Sequence, residues 1–167
     1  MNNELTREHQ LAKELTLRQL VQFIYDVSYA GQAMADVGGN GMQERLALFD
    51  LHPDVYDYGI DKFDICKTSL PKQYPVIICM NTFEHILDPV RAAENIVKSL
   101  APGGHLFVTT LFVYPKHNYD EVVDTYRYTD TALSWLFRDL EEKRCWFENE
   151  NHPPQAVRVS YIGVKRV

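Results

Sequence analysis

Residues 76–80, with the sequence Val-Ile-Ile-Cys-Met, form a continuous apolar run that is mostly β-branched. Such a run is typical of a strand covered on both faces, which is the position of a central strand in a parallel sheet. Asp88 and Pro89 then provide a helix cap and a first-turn proline, ahead of an apolar stripe at helical spacing that ends before Pro102. A buried strand followed by an amphipathic helix is the unit of a layered α/β fold.

The same alternation continues through the chain. Apolar residues at helical spacing occur in segments 17–27, 42–49, 89–100 and 129–140, and strand-like segments are 32–37, 55–60, 106–112, 144–147 and 157–167. This order predicts a parallel sheet with helices on both faces, and the two last strands, on either side of Pro153 and Pro154, predict an antiparallel edge. No repeat or linker divides the sequence. We therefore expect one domain over residues 1–167, with N-terminal helices in 1–30 and an α/β core in 33–167.

Composition disfavours several classes of protein. With 167 residues, 46% of them hydrophobic, the chain can bury a core without disulfides or metal ions. A formal charge of −6 without clustered Lys or Arg gives no support to nucleic-acid binding. No apolar run approaches the ~20 residues that span a bilayer, so we expect a cytoplasmic protein with no membrane partner. Cys66, Cys79 and Cys145 are widely spaced, and we expect them to be reduced thiols that form neither a disulfide framework nor a zinc site.

A glycine-rich turn, Asp-Val-Gly-Gly-Asn-Gly at residues 36–41, follows the first predicted strand. Gly38, Gly39 and Gly41 allow the backbone to approach a ligand closely, and Asn40 is the non-glycine residue best suited to a positive φ. Glycines at such a turn are structural about as often as they bind. The spacing also differs from the GxGxxG pattern of dinucleotide sites, which disfavours a dinucleotide-dependent oxidoreductase.

Further polar residues follow the next two predicted strands, where ligands bind in open α/β sheets. A carboxylate from Asp57 or Asp61 is suited to the two hydroxyls of a ribose, although a solvated turn aspartate is the alternative. Asp64 and Ile65 offer a carboxylate and a backbone N–H to an adenine.

Beyond the run at 76–80, the most prominent polar side chains are Glu84 and His85, which follow Asn81 and Thr82. A histidine that packs at a strand end is at least as common as a catalytic one, so a structural role for His85 remains open. His9, His52, His105 and His152 fit no spacing typical of metal ligands, and we expect no metal site.

Three segments together resemble the class I S-adenosylmethionine-dependent methyltransferases, particularly the small-molecule branch. They are residues 36–41, the sequence Phe-Glu-His-Ile-Leu-Asp-Pro at 83–89, and Leu-Ala-Pro-Gly-Gly-His-Leu-Phe at 100–107, in the family's order and distances. The resemblance covers roughly residues 33–140. It implies a three-layer αβα sandwich with a mostly parallel seven-stranded sheet, an antiparallel last strand, and S-adenosylmethionine as cofactor.

The resemblance also implies roles for individual residues. The turn formed by Gly38, Gly39, Asn40 and Gly41 would lie beside the methionine portion of the cofactor, with Asp36 supporting its ammonium group. Asp57 would bind the ribose, with Asp61 as the alternative.

At the other end of the cofactor, Asp64 and Ile65 would read the adenine. Asn81 and Thr82 would lie near the departing methyl group, and Glu84 and His85 would line the floor of the pocket. The sequence departs from the family at Met42, where a third alternating glycine is usual, and a side chain there would crowd the cofactor.

Residues 113–128 are long for a connection between a strand and a helix, which favours a function. Members of the family have a similar His...Asp-x-Tyr/Trp-Arg-x-Thr signature at the mouth of the acceptor pocket, matched here by His117, Asp124, Tyr126, Arg127 and Thr129. If the acceptor is a hydroxyl, His117 is the candidate base, because a histidine side chain titrates near neutrality. The alternative is a solvated histidine beside a structural ion pair of Arg127 with Asp124.

The sequence therefore predicts an S-adenosylmethionine-dependent methyltransferase that acts on a small-molecule acceptor, with His117, Asp124 and Arg127 as the catalytic group. The alternative is an inactive methyltransferase-like domain that binds the cofactor or a partner protein. Because 167 residues leave little chain for a lid, a partner chain or a second copy is expected to cover the active site.

Overall fold

The structure is a computed structural model that describes residues 14, 17–27, 31–39, 42–118, 122–148 and 157–167. Its strands are β1 Met34–Val37, β2 Asp54–Tyr56, β3 Tyr74–Met80, β4 Leu100–Leu111, β5 Glu141–Phe147 and β6 Arg158–Val164. Its helices are α1, described over residues 17–26, α2 Gln43–Ala47, α3 Tyr58–Asp61, α4 Pro89–Ser99 and α5 Asp130–Leu136, with a 3-10 helix at Phe83–His85. The alternating α/β order predicted from the sequence is confirmed.

The described strands form one sheet in the order β2-β1-β3-β4-β6-β5. β2, β1, β3 and β4 are parallel, β6 is antiparallel to β4, and β5 is antiparallel to β6. The antiparallel last strand is confirmed, but the described residues form six strands where seven were implied. The physical reason lies between β2 and β3, where residues 57–73 form the short helix α3, turns and bends instead of another strand beside β2.

β3 is the central strand that its sequence predicts, because it contributes side chains to a hydrophobic layer on each face of the sheet. Ile77 and Cys79 belong to one core cluster, together with apolar residues of α4 and α5. Ile78 and Met80 belong to the other, together with residues of α1 and α2. Each fully buried side chain of this size contributes about 1.5–3 kcal/mol relative to exposure. The fold is therefore a three-layer αβα sandwich, as the resemblance implied.

The helix cap predicted at Asp88 is present, and Thr129 caps α5 in the same way. The Asp88 carboxylate accepts a hydrogen bond of 3.0 Å from the backbone N–H of Arg91, and the Thr129 hydroxyl accepts one of 3.1 Å from Ala132. Caps of this kind stabilise a helix by about 1 kcal/mol. They fix where α4 and α5 begin, and thereby the path of the loop that enters each helix.

The predicted strand over residues 55–60 is wrong in its second half. Asp57 has an extended backbone, and its carboxylate accepts hydrogen bonds from the N–H groups of Gly59 and Ile60, which closes the single helical turn α3. A carboxylate two and three residues before these donors is the usual cap of a helical turn. β2 therefore ends at Tyr56, and Asp57 stands at the carboxyl end of the strand.

Candidate active site

A cleft of about 1040 Å³ lies beyond the carboxyl ends of the parallel strands. Each of these strand ends contributes at least one lining residue, including Gly38 after β1, Asp57 after β2, Asn81 after β3 and Leu111 at the end of β4. The strand order reverses between β1 and β3, and ligands of open α/β sheets bind at such a switch point. Its volume is at the upper end of the range for small-molecule and cofactor sites.

The turn after β1 packs against the turn after β3 without room for side chains. Gly38 has a φ of +77°, and a Cβ there would lie 2.3 Å from the Thr82 hydroxyl oxygen. That hydroxyl lies 3.1 Å from the carbonyl oxygens of both Val37 and Met80, so it is tied to β1 and β3 at once. A Cβ on Gly39 would lie 2.1 Å from a carboxylate oxygen of Asp36. Asn40 and Gly41, the rest of the predicted turn, lie outside the described residues.

The Asp36 side chain is fully buried under this turn, and neither of its oxygens has a hydrogen-bond partner among the described residues. Burial, with a smaller contribution from the charge of Asp57, raises the pKa of Asp36 to about 7. Asp36 is not among the residues that line the cleft. An unpartnered buried carboxylate behind a turn with no side chains fits a cationic ligand group held at that turn.

We expect this carboxyl group to make the stability of the ligand-free protein depend on pH. Between the ordinary aspartate pKa of 3.8 and about 7, folded Asp36 retains a proton that the unfolded chain has released. The free energy of unfolding therefore falls as pH rises through this window. Thermal unfolding at several pH values should show a shallower fall for Asp36→Asn than for the wild type or for the exposed control Asp139→Asn. An unchanged slope in Asp36→Asn would contradict the assignment.

Asp57 and Asp61 occupy different positions around the short helix α3. Asp57 lines the cleft, whereas Asp61 does not. The Asp61 carboxylate instead accepts hydrogen bonds from the backbone N–H groups of Asp57 and Phe63, which stabilise the loop from within. One oxygen of Asp57 accepts the two capping bonds of α3. Asp57, which directly follows β2, is therefore the one of these two aspartates that lines the cleft.

Asp64 and Ile65 also line the cleft, beside the turn that follows α3. The Asp64 carboxylate accepts a hydrogen bond of 3.0 Å from the N–H of Cys66 and lies 2.9 Å from the Lys67 ammonium group. The carbonyl of Ile65 accepts a hydrogen bond of 2.7 Å from the Asn95 side chain on α4. These contacts fix the turn on the body of the domain, and both residues line the same cleft as Asp57.

Asn81 directly follows β3 and has a strained backbone conformation. Its φ is +52°, in the left-handed region that asparagine adopts more readily than most residues. The side-chain oxygen accepts a hydrogen bond of 2.8 Å from Nε of Arg158, whose guanidinium group is buried and lies 3.7 Å from Glu148. Arg158 also lines the cleft, although nothing in the sequence marks it. The only signal available was its position at the start of a predicted strand.

Glu84 and His85 follow on the 3-10 helix and line the cleft together with Thr82. Glu84 is 1% exposed, accepts a hydrogen bond of 2.7 Å from the Thr110 hydroxyl, and has its pKa raised by burial. Burial lowers the pKa of His85, so its ring is neutral at lower pH than an exposed histidine. The Nδ1 atom of His85 lies 3.2 Å from the carbonyl oxygen of Val123.

His117, Asp124 and Arg127 meet in the long segment after β4. Nδ1 and the backbone N–H of His117 lie 3.2 and 2.8 Å from the same Asp124 oxygen. Arg127 donates to both Asp124 oxygens, at 2.5 and 2.7 Å, and this guanidinium holds the pKa of Asp124 well below its usual range. His117 lines the cleft, but Asp124 and Arg127 do not. The ion pair of Arg127 with Asp124, which was the alternative interpretation of the sequence, is therefore present. Its carboxylate also holds His117.

Further contacts hold the His117 ring. Its ring centroid lies 5.2 Å from that of Tyr114 at an interplanar angle of 87°, and its Nδ1 lies 3.3 Å from the carbonyl oxygen of Pro115. Arg127 donates to the carbonyls of Tyr114 and Pro115, so the same guanidinium shapes this stretch of backbone. Tyr114 lines the cleft beside His117 and was not singled out from the sequence.

Met42 lies at the entrance of α2, where the third alternating glycine was expected. Its side chain is half-buried, packs against the core cluster that contains α1, and also lines the cleft. The predicted crowding is therefore partly relieved, because the hydrophobic core beneath the turn takes up some of this thioether side chain.

Known proteins resemble this chain in sequence and in fold. Residues 6–152 match the family described as "Methyltransferase domain". Over 115 residues the chain is 30% identical to the ubiquinone biosynthesis O-methyltransferase of Marinobacter nauticus, an alignment covering 54% of this chain and 48% of that protein. The chain thus spans about half the length of the curated relatives it matches. None of the described helices is long and apolar enough to cross a membrane.

Two solved structures have the same fold. An S-adenosylmethionine-dependent methyltransferase from Clostridium acetobutylicum superposes with a TM-score of 0.65 at 9% identity, over 92% of each chain. A putative methyltransferase of Haloferax volcanii, solved in complex with the Trm112 methyltransferase activator, gives a TM-score of 0.62 at 14% identity, over 99% of this chain and 97% of the other. The chain therefore belongs to the methyltransferase domain family and has the fold of the class I S-adenosylmethionine-dependent methyltransferases.

Proposed function

We propose that the protein transfers the methyl group of S-adenosylmethionine to the hydroxyl of a small molecule. The observation that carries this proposal is the imidazole of His117, held by a buried carboxylate and facing the cleft at the strand ends. The cofactor, when bound, supplies a methyl carbon already activated by a positively charged sulfur. The chain then has to align the acceptor oxygen, exclude water and accept one proton.

The methionine end of the cofactor is assigned to the turn after β1. Gly38, Gly39, Asn40 and Gly41 would bring backbone N–H groups close to it, and the ionised Asp36 carboxylate would face its ammonium group. Support comes from the unpartnered oxygens of Asp36 and from the close packing of the turn on Asp36 and Thr82, which only glycine allows at Gly38 and Gly39.

The nucleoside end is assigned to the wall formed after β2. Asp57 would accept hydrogen bonds from the ribose hydroxyls, while Asp64 and Ile65 would contact the adenine. Support comes from the presence of all three residues in the lining of the cleft and from the engagement of Asp61 within its own loop.

The methyl group would lie where β3 ends. Asn81 and Thr82 would contact the reacting end of the cofactor, and Glu84 and His85 would form the floor. Arg158 would act through Asn81 as a positioning residue, because its hydrogen bond holds the side chain of Asn81, whose backbone has a positive φ.

His117 would take the acceptor proton. With Nδ1 hydrogen-bonded to Asp124, the proton on Nδ1 points to the carboxylate, and Nε2 retains the lone pair that accepts a proton. Bound S-adenosylmethionine would supply the methyl group to the acceptor oxygen and keep the electron pair of the broken carbon–sulfur bond, while Nε2 of His117 would accept the proton that the hydroxyl loses. Asp124 and Arg127 are positioning residues, since they act through His117 and do not line the cleft.

The second candidate function is a domain that binds the cofactor or a partner protein without turnover. Met42 favours it, because its side chain lines the cleft where the family usually has a glycine. The active enzyme would also bind a protein, because a partner chain or a second copy would have to cover the acceptor. The solved Haloferax volcanii relative is bound to an activator protein, which supports this arrangement. Three free thiols at Cys66, Cys79 and Cys145 suit the reducing cytoplasm, where we propose the protein acts.

Two measurements separate these functions. Calorimetry of the purified protein with S-adenosylmethionine and with its demethylated product should give micromolar affinity for both. Transfer of a labelled methyl group to a panel of hydroxylated small molecules should then identify an acceptor, with a matching panel of amines as the comparison. Absence of binding to either cofactor form would overturn the proposal, and binding without transfer to any acceptor would favour the non-catalytic domain.

A further inference from the structure

Three potential metal ligands meet on one side of the cleft. Glu84, His85 and His117 each offer one ligand atom, and these atoms all lie within 4.8 Å of one another. Two of the residues come from the 3-10 helix after β3, and the third comes from the segment after β4. The cluster is thus formed by the fold, which explains why the spacing of histidines along the chain did not reveal it.

Both imidazole rings have the orientation that metal-bound histidines usually have. Nδ1 of His85 lies 3.2 Å from the carbonyl oxygen of Val123, and Nδ1 of His117 lies 3.3 Å from that of Pro115. Since a carbonyl oxygen only accepts, Nδ1 carries the proton in each neutral ring, and the lone pair resides on Nε2. A metal-bound histidine almost always donates its other ring N–H to a backbone carbonyl or a carboxylate. His117 has both, because Asp124 also lies 3.2 Å from Nδ1.

Glu84 supplies the negative charge of the cluster. Its side chain is buried, with one oxygen fixed by the Thr110 hydroxyl. A buried carboxylate is costly unless a cation compensates it. The two nearby guanidinium groups already lie beside other carboxylates, Arg127 against Asp124 and Arg158 against Glu148. A metal ion bound at Glu84 would add positive charge beyond that of these two arginines.

We propose that Glu84, His85 and His117 bind a divalent transition-metal ion of the zinc type in the cleft. Two neutral imidazoles and one carboxylate are a ligand set that binds zinc and leaves a coordination position open. With metal–ligand bonds of about 2.0–2.2 Å in a tetrahedral site, two ligand atoms stand about 3.3–3.6 Å apart, so side-chain rotations that bring the ligand atoms closer by roughly 1 Å would close the site.

Occupation of this site has a consequence that rests on the proposed function. The metal takes the same Nε2 lone pair of His117 that is assigned to the acceptor proton. Bound metal therefore inhibits methyl transfer, and a chelator restores it. Metal binding itself requires only the three side chains and holds whether or not the protein transfers methyl groups.

The test is a titration of the metal-free protein with Co²⁺ alone, followed by its visible d–d absorption, with Zn²⁺ as the displacing ion. We expect one saturable site per chain and an affinity lowered by about tenfold or more in both His85→Ala and Glu84→Gln. His52→Ala, at an exposed histidine outside the cluster, is the matched control and should bind normally. Thermal unfolding of each variant checks that the buried Glu84 substitution has not unfolded the domain.

No saturable Co²⁺ spectrum in the wild type, or unchanged affinity in the folded His85→Ala variant, would overturn the metal site. Methyl transfer in the presence of chelator is measured separately. Transfer without cobalt binding would overturn the metal site alone, and cobalt binding without transfer would overturn the proposed function alone.

Discussion

Replacement of His117 by alanine is expected to slow methyl transfer by about 10²- to 10⁴-fold, the usual contribution of a positioned general base. Cofactor affinity should stay nearly unchanged, because His117 is assigned to the acceptor and not to the nucleoside. Single-turnover rates with chelator present, together with calorimetry of cofactor binding, measure the two quantities independently. The control is His52→Ala, which removes an exposed imidazole that does not line the cleft.

A second variant tests how the base is held. Asp124→Asn retains a hydrogen-bonding side chain but loses the negative charge that Arg127 and His117 share. We expect turnover to fall and the pH profile of the rate to move, whereas a merely structural ion pair would change thermal stability alone. Equal losses of cofactor affinity and turnover in His117→Ala would refute its role as a base.

Replacement of Asp57 by alanine is expected to weaken cofactor binding by about tenfold to a hundredfold, since hydrogen bonds to a charged acceptor are worth about 1.5–3 kcal/mol. The effect should appear equally with S-adenosylmethionine and with its demethylated product, because both have the ribose. Asp61→Ala should weaken cofactor binding much less. Among the described residues, the Asp61 carboxylate accepts hydrogen bonds from backbone N–H groups of its own loop.

Because Asp57 also caps α3, a loss of local structure has to be separated from a loss of binding. Asp57→Asn keeps an oxygen for the N–H groups of Gly59 and Ile60 but removes the charge. We expect its affinity to lie between those of the wild type and Asp57→Ala. Stronger weakening by Asp61→Asn than by Asp57→Asn would reverse the assignment of the ribose ligand.

Local sequence patterns were sufficient for the elements of the fold. The β-branched run at 76–80 predicted a central strand because a strand buried on both faces has no polar alternation, and Asp88 and Thr129 predicted helix starts because their side chains satisfy backbone donors. The strand predicted to continue to residue 60 was wrong because Asp57 uses its carboxylate locally, and side-chain capping there overrides β propensity.

The site was predictable where it depends on residues directly after strands, as for Gly38, Asp57 and Asn81. It was not predictable where it depends on how two loops meet. The nearness of His117 to His85 follows from the way the segment after β4 packs on the turn after β3. The same holds for Arg158, whose burial against Asn81 requires β6 to pair beside β4.

The segment after β4, which would shape the acceptor end of the cleft under the proposed function, is fastened partly through main-chain hydrogen bonds. The carbonyl of Glu84 accepts hydrogen bonds from the N–H groups of Thr125 and Tyr126 and from the Thr125 hydroxyl, and the carbonyl of Phe83 accepts one from the Tyr128 hydroxyl. Main-chain anchors survive most substitutions of the side chains around them. Exchange of cleft-lining side chains in this segment, such as those of Tyr114 or Val123, would therefore leave its main-chain anchors in place.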